Sequence, residues 1–150
     1  MVIDKNLCEI GITYTPKRTS KFKVSSSQDA EIYLRETFKA ELCNLNLKEY
    51  FYILLLNKGS RIIGFHRLSE GNLDSCMADR RLAFATALKC LASGIILCHN
   101  HPSGRLKPSE QDRGLTRGFV EAGKLIDIMV LDHIILAEEG YYSFADNGMM

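Results

Sequence analysis

Apolar and polar positions along the chain change period several times, and each change marks an element. Residues 7–14 alternate as a strand does, and the polar, basic stretch 15–23 reads as a connection. Ser25 to Ser27 supply capping hydroxyls for a helix from residue 29 to about 42, with Ile32, Leu34 and Phe38 on its packed face and Tyr33 at the margin. Residues 50–56 form a wholly apolar run of strand length. The Asn-Lys-Gly-Ser tetrapeptide turns it into a partner strand at 61–68, and this pair is expected at the centre of a sheet. Asp79 opens the next helix, which stops near Gly94 and whose spacing of Leu82, Ala85, Leu88 and Leu91 predicts its buried face. Gly94 to Cys98 is again strand-like, residues 109 to about 124 read as a helix, and two apolar runs close the chain as a hairpin. The order predicts a mixed α/β sandwich.

Chemistry concentrates between Cys98 and Asp112. The strand-like run delivers His99 and His101 two residues apart, which sends both imidazoles to one face with Cα atoms roughly 6.5 Å apart. A loop bounded by Pro102 and Pro108 turns the chain, and Ser109 opens a helix whose first turn carries Asp112. Two nitrogens and one carboxylate oxygen would leave a tetrahedral zinc one open position, the arrangement of catalytic rather than structural sites. Ser109-x-x-Asp112 is also a capping-box pattern, and a single histidine is most often structural. Three candidate ligands within fourteen residues favour the metal. Other zinc chemistries lack their motifs: there is no His-Glu-x-x-His, no His-x-Glu followed by Pro-Cys-x-x-Cys, and no Cys-x-x-Cys among Cys8, Cys43, Cys76, Cys90 and Cys98.

His-x-His-Pro, followed by Pro-Ser-x-x-Asp with the aspartate eleven residues after the second histidine, resembles the JAMM signature of JAB/MPN metalloproteases. HNHPSG, together with the later LDHIIL and GYYSFADNG, resembles the RadC-like branch, over about residues 47–150. The resemblance implies a JAB/MPN, cytidine-deaminase-like α/β domain at 47–150, with a strand and helix in 1–46 preceding or packing on it. The length is similar to that of short members without an amino-terminal helical DNA-binding-type region. The resemblance further implies His99, His101 and Asp112 as zinc ligands, Ser109 as a donor to the developing oxyanion, and a glutamate at the start of a central strand as general base. Glu49, directly before the apolar run, fits that place. Glu70 is the competitor, in a stretch whose Gly and Asn read as a loop. The implied activity is zinc-dependent hydrolysis of a peptide or isopeptide bond.

The resemblance also carries an association with DNA repair, which makes a DNA-processing factor the second function class; a metal-binding scaffold without turnover is a third. Across 150 residues the net charge is only +1, so no global electrostatic footprint for DNA exists, although Lys17, Arg18, Lys21 and Lys23 cluster locally. With 46% apolar residues one domain can bury a real core. An odd number of scattered cysteines in apolar stretches suits reduced thiols, and no signal-like or membrane-length segment is evident, so the expectation is a cytoplasmic protein. His133, in an apolar strand, suits a hydrogen-bonded core or sheet-face histidine at least as well as a substrate contact, and stays outside the metal set. Asp132 could orient a neighbour or pair with a basic residue, and the alternating Tyr141, Tyr142 and Phe144 read as packing rather than base stacking.

Overall fold

The wholly apolar strand Tyr50–Leu56 (β1) must be covered on both faces, and that requirement organises the molecule. A computed structural model describes residues 14, 22–41, 43–71 and 78–150. In chain order α1 (Ser27–Ala40) precedes β1, which is followed by β2 (Ile62–Glu70), α2 (Arg80–Lys89), β3 (Gly94–Asn100), α3 (Glu110–Leu125), β4 (Met129–Ala137) and β5 (Gly140–Ser143). The strands form one mixed sheet in the order β2-β1-β3-β4-β5, with β3 and β4 parallel and the other pairs antiparallel. Alternation then sorts the core into two layers. Phe51, Ile53, Leu55, Ile95 and Leu97 face α2 and α3, which contribute Ala83, Phe84, Ala87 and Phe119. Tyr52, Leu54, Ile96, Cys98, Ile134 and Leu136 face α1, which contributes Ala30, Leu34 and Phe38. Complete burial of a side chain such as Leu34 contributes about 2 kcal/mol. The mixed α/β sandwich expected from the sequence is what forms.

Four expectations about its parts need correction. The β1–β2 pair is not central: β2 is an edge strand, β3 takes the middle position, and residues 22–24 cover the start of β2 through a bridge between Lys23 and Arg61. The β2 strand also runs on through Glu70, which pairs with Tyr50, so Glu70 is a strand residue rather than part of a loop. The α2 face is the opposite of the expected one. Leu82, Leu88 and Leu91 are exposed, whereas Ala83, Phe84, Ala87 and Cys90 are buried. Small side chains let the helix lie close to the sheet, with Phe84 as its one large anchor against Phe119. On α1 the buried face runs through Ala30, Leu34, Thr37 and Phe38, leaving Ile32 exposed. The expected strand before Tyr14, Lys17, Arg18, Lys21, Cys8 and Cys76 lie outside the described residues. Among the described cysteines, Cys43, Cys90 and Cys98 are free thiols, the last two buried.

Candidate metal centre

Alternation along β3 places His99 on the same face as Ile95 and Leu97, under α3, and His101 follows one step past the strand end. The His101 main-chain N–H stays bound to the Leu136 carbonyl at 2.9 Å, so this candidate ligand is still anchored to β4. The loop then doubles back: Gly104 adopts φ 75°, a conformation that favours glycine, and the Arg105 carbonyl comes to 2.6 Å from His101 Nδ1. Ser109 caps α3 in a reciprocal capping box with Asp112. Its N–H and hydroxyl both donate to Asp112 Oδ2, at 2.7 and 2.6 Å, and its oxygen accepts from the Asp112 N–H at 3.1 Å. The same serine and aspartate that start the helix thus aim the carboxylate.

The three residues converge. His99 Nε2 lies 2.9 Å from His101 Nε2 and 3.2 Å from Asp112 Oδ1, and His101 Nε2 lies 3.7 Å from Asp112 Oδ2. One ligand atom from each falls within 4.8 Å of the others. Because His101 donates its Nδ1 proton to a carbonyl, its Nε2 presents a lone pair to this group. Ligands on a tetrahedral zinc are separated by about 3.3 Å, given bonds of about 2.0–2.1 Å. The contacts, made to the two different oxygens of Asp112, lie around that spacing, and this donor set is of the type and closeness that suits a zinc-sized cation. Burial pushes the His99 imidazole below its usual range against the pull of Asp112, favouring the neutral form that binds metal. Burial would raise the Asp112 carboxyl, but hydrogen bonds from His99 and Ser109 outweigh it and hold it below the ordinary carboxylate range.

Glu49 immediately precedes β1. The β1–β3 register pairs Phe51 with His99, and continuing it by two residues sets Glu49 opposite His101, on the same face. Burial and the neighbouring charge of Asp112 raise its carboxyl to about 7. Its backbone is held on both sides: the Glu49 carbonyl accepts from the Gly71 N–H at 2.9 Å, while Asn100 grips the flanking residues. Asn100 donates to the Leu45 and Lys48 carbonyls at 2.8 and 2.7 Å and accepts from the Tyr50 N–H at 2.8 Å. Glu70 is differently placed. It pairs with Lys48 at 2.8 Å and Arg67 at 3.6 Å, and the Lys48 hydrogen bond holds its carboxyl below the ordinary value. A carboxylate so stabilised is a poor proton acceptor at neutral pH.

Sequence reasoning missed Asn100 and Thr116, and left His133 as a core residue without a named partner. His133 is fully buried, with its Nε2 2.8 Å from His99 Nδ1 and its Nδ1 2.7 Å from Thr116 Oγ1. Burial drives its imidazole well below the usual range. Asp132 accepts from the Ser143 hydroxyl, the Ala145 N–H and the His133 N–H, and so ties β4 to the turn after β5 instead of pairing with a basic residue. Phe144 packs as expected, against the His133 ring at a centroid distance of 4.8 Å. No spacing in the sequence signals the role of His133, because the parallel β3–β4 pairing that sets Leu97 beside it is nonlocal.

The family pattern of the RadC-like JAB domain matches residues 24–149. The chain belongs to the RadC-like JAB domain family. The match takes in α1 as well as the sheet and the candidate metal ligands. A UPF0758 protein of Flavobacterium johnsoniae is 40% identical over 127 residues, which cover 85% of this chain and 53% of the relative. Another, from Alkaliphilus metalliredigens, is 41% identical over 133 residues, covering 89% and 55%. One from Geotalea uraniireducens is 46% identical over 103 residues, covering 69% and 45%. This RadC-like chain spans about half the length of the curated relatives it matches. Among its described residues no helix is long and apolar enough to cross a membrane.

Proposed function

We propose that this RadC-like JAB domain is a zinc-dependent hydrolase of a peptide or isopeptide bond, with Glu49 as its general base. The observation that carries the reading is the convergence of His99, His101 and Asp112, with Glu49 set opposite His101 just before β1. Burial and the Asp112 charge raise the Glu49 carboxyl, in keeping with a proton acceptor for neutral-pH chemistry. His99, His101 and Asp112 would hold the metal, which when bound supplies Lewis acidity toward a carbonyl and acidifies water toward a pKa of about 7. Ionised Glu49 takes a proton from the attacking water as its oxygen adds to the amide carbon. The carbon–nitrogen bond then breaks, and Glu49 returns the proton to the departing amine. Ser109 has a structural duty first, since its hydroxyl hydrogen points to Asp112 Oδ2. Acting as oxyanion donor requires that hydrogen to swing toward the substrate.

The test is elemental analysis of the purified protein, coupled to a screen of peptide, isopeptide and nucleic-acid hydrolysis. The expected result is about one zinc per chain and turnover of an amide substrate. Absence of zinc would remove the basis of the reading, and metal-dependent strand cleavage without amide turnover would replace it with a nuclease.

A further inference from the structure

Behind His99 lies a chain of buried polar groups that the proposed chemistry does not use. His99 Nδ1 is 2.8 Å from His133 Nε2, His133 Nδ1 is 2.7 Å from Thr116 Oγ1, and Thr116 donates to the Asp112 main-chain carbonyl at 2.7 Å. We propose that His133 and Thr116 are positioning residues that fix the tautomer of His99, so that its Nε2 lone pair is presented to the metal. The inference rests on the metal-centre reading above and adds what that reading does not contain, the direction of every proton behind the site.

The direction follows from donor and acceptor counting. A His99 that binds metal through Nε2 carries its proton on Nδ1 and must donate it to His133. His133 Nε2 is then bare, which puts the ring proton on Nδ1, facing the Thr116 oxygen. Thr116 in turn sends its one hydrogen to the Asp112 carbonyl, a group that can only accept. Reversal would make Thr116 donate to His133 and His133 donate to His99. His99 Nε2 would then carry a hydrogen and be lost as a ligand. Reversal gives up the 2.7 Å bond from the Thr116 hydroxyl to the Asp112 carbonyl, which keeps only its helical N–H donor, so a cation on His99 Nε2 and this hydroxyl bond favour the same direction. The ring planes are held as well: Phe51 lies parallel to His99 within 3°, and Phe144 lies within 16° of His133. The chain also closes on itself, running from one ligand side chain to the backbone of another and joining β3, β4 and α3.

Two measurements test it. In the zinc-loaded wild-type protein, two-bond proton–nitrogen correlation spectra of the imidazoles should show His133 neutral and protonated on Nδ1. A proton on His133 Nε2 in protein that still holds stoichiometric zinc would overturn the inference. In chelator competition, Thr116→Val should weaken zinc binding about 10-fold to 100-fold, the range for loss of a ligand's outer partner, and Thr116→Ser should restore it. Wild-type affinity in both Thr116→Val and His133→Phe would also overturn it. A wild-type protein that binds no zinc at all would instead remove the metal reading, and with it this one. The spectrum needs no variant to fold.

Discussion

Burial beside Asp112 raises the Glu49 carboxyl to about 7 from an ordinary 4.5, so the fold favours its protonated form. The stability associated with that preference is fully present below about 4.5 and is lost as pH rises through about 7. In metal-free protein Glu49→Gln should therefore melt a few degrees above wild type at pH 8, with the gap closing at pH 4, as read by calorimetry. Its kinetic effect is opposite: zinc content unchanged, turnover lower by about 10²-fold to 10⁴-fold. Wild-type activity should fall on the acid side with an inflection at or below about 7, since a bound cation pulls the carboxyl down. Equal turnover in Glu49→Gln would return the base role to another carboxylate. Ser109 divides two roles in the same way. Ser109→Ala keeps the main-chain N–H on Asp112 Oδ2 but loses the hydroxyl donor. A loss of roughly 10²-fold in kcat with zinc affinity nearly unchanged identifies an oxyanion donor. Weakened zinc binding with kcat preserved at saturating metal identifies an orienting role only.

Among the elements, α3 is fixed by a close approach at its far end. A Cβ on Gly123 would sit 2.4 Å from the Ile128 carbonyl oxygen, which is main chain and cannot swing away. Gly123→Ala should lower stability by about 1–3 kcal/mol in urea titration, while Gly114→Ala, whose nearest neighbour is 3.9 Å away, should be neutral or slightly stabilising. Comparable effects at both positions would show that the close approach relaxes. The contrast between elements also explains what could be read from the chain. His99, His101 and Asp112 were legible because local rules bring them together: period two along a strand, one loop and one capped helix turn. Glu49 was named only through the family resemblance, which implies an acid at the start of a central strand. The α2 face was not legible, because leucine spacing and alanine spacing both suit a helix, and close packing selected the smaller side chains. The edge position of β2 depends on β3 inserting between β1 and β4, a choice made by the whole sheet. Thr116 and Asn100 stayed hidden for the same reason, since their partners are 17 and about 50 residues away in sequence.

For the molecule as a whole, a ligand that binds only the folded state adds to its stability. With free zinc at a hundredfold excess over its Kd the gain should be about 2.7 kcal/mol, and the double change His99→Ala with His101→Ala should abolish both the gain and the bound zinc. A gain that survives the double change would place the metal elsewhere. Net charge of +1 sets the expectation for nucleic acid: weak, salt-sensitive binding, unaffected by His99→Ala. Affinities for single- and double-stranded DNA at two salt concentrations check this, and tight selective binding at physiological salt would reverse the ranking of peptidase over DNA factor. Both layers of the sandwich meet at the sequence His99-Asn100-His101, whose outer residues face α3 and whose middle residue clamps the loop bearing Glu49. Sliding β3 by one residue against β1 would exchange the two sides, sending the imidazoles into the α1 layer and the amide toward Asp112. No partly working alignment exists between these states. An ion held by His99, His101 and Asp112 would therefore act as a proofreader of strand alignment, rewarding only the pairing in which both halves of the reaction machinery are assembled together.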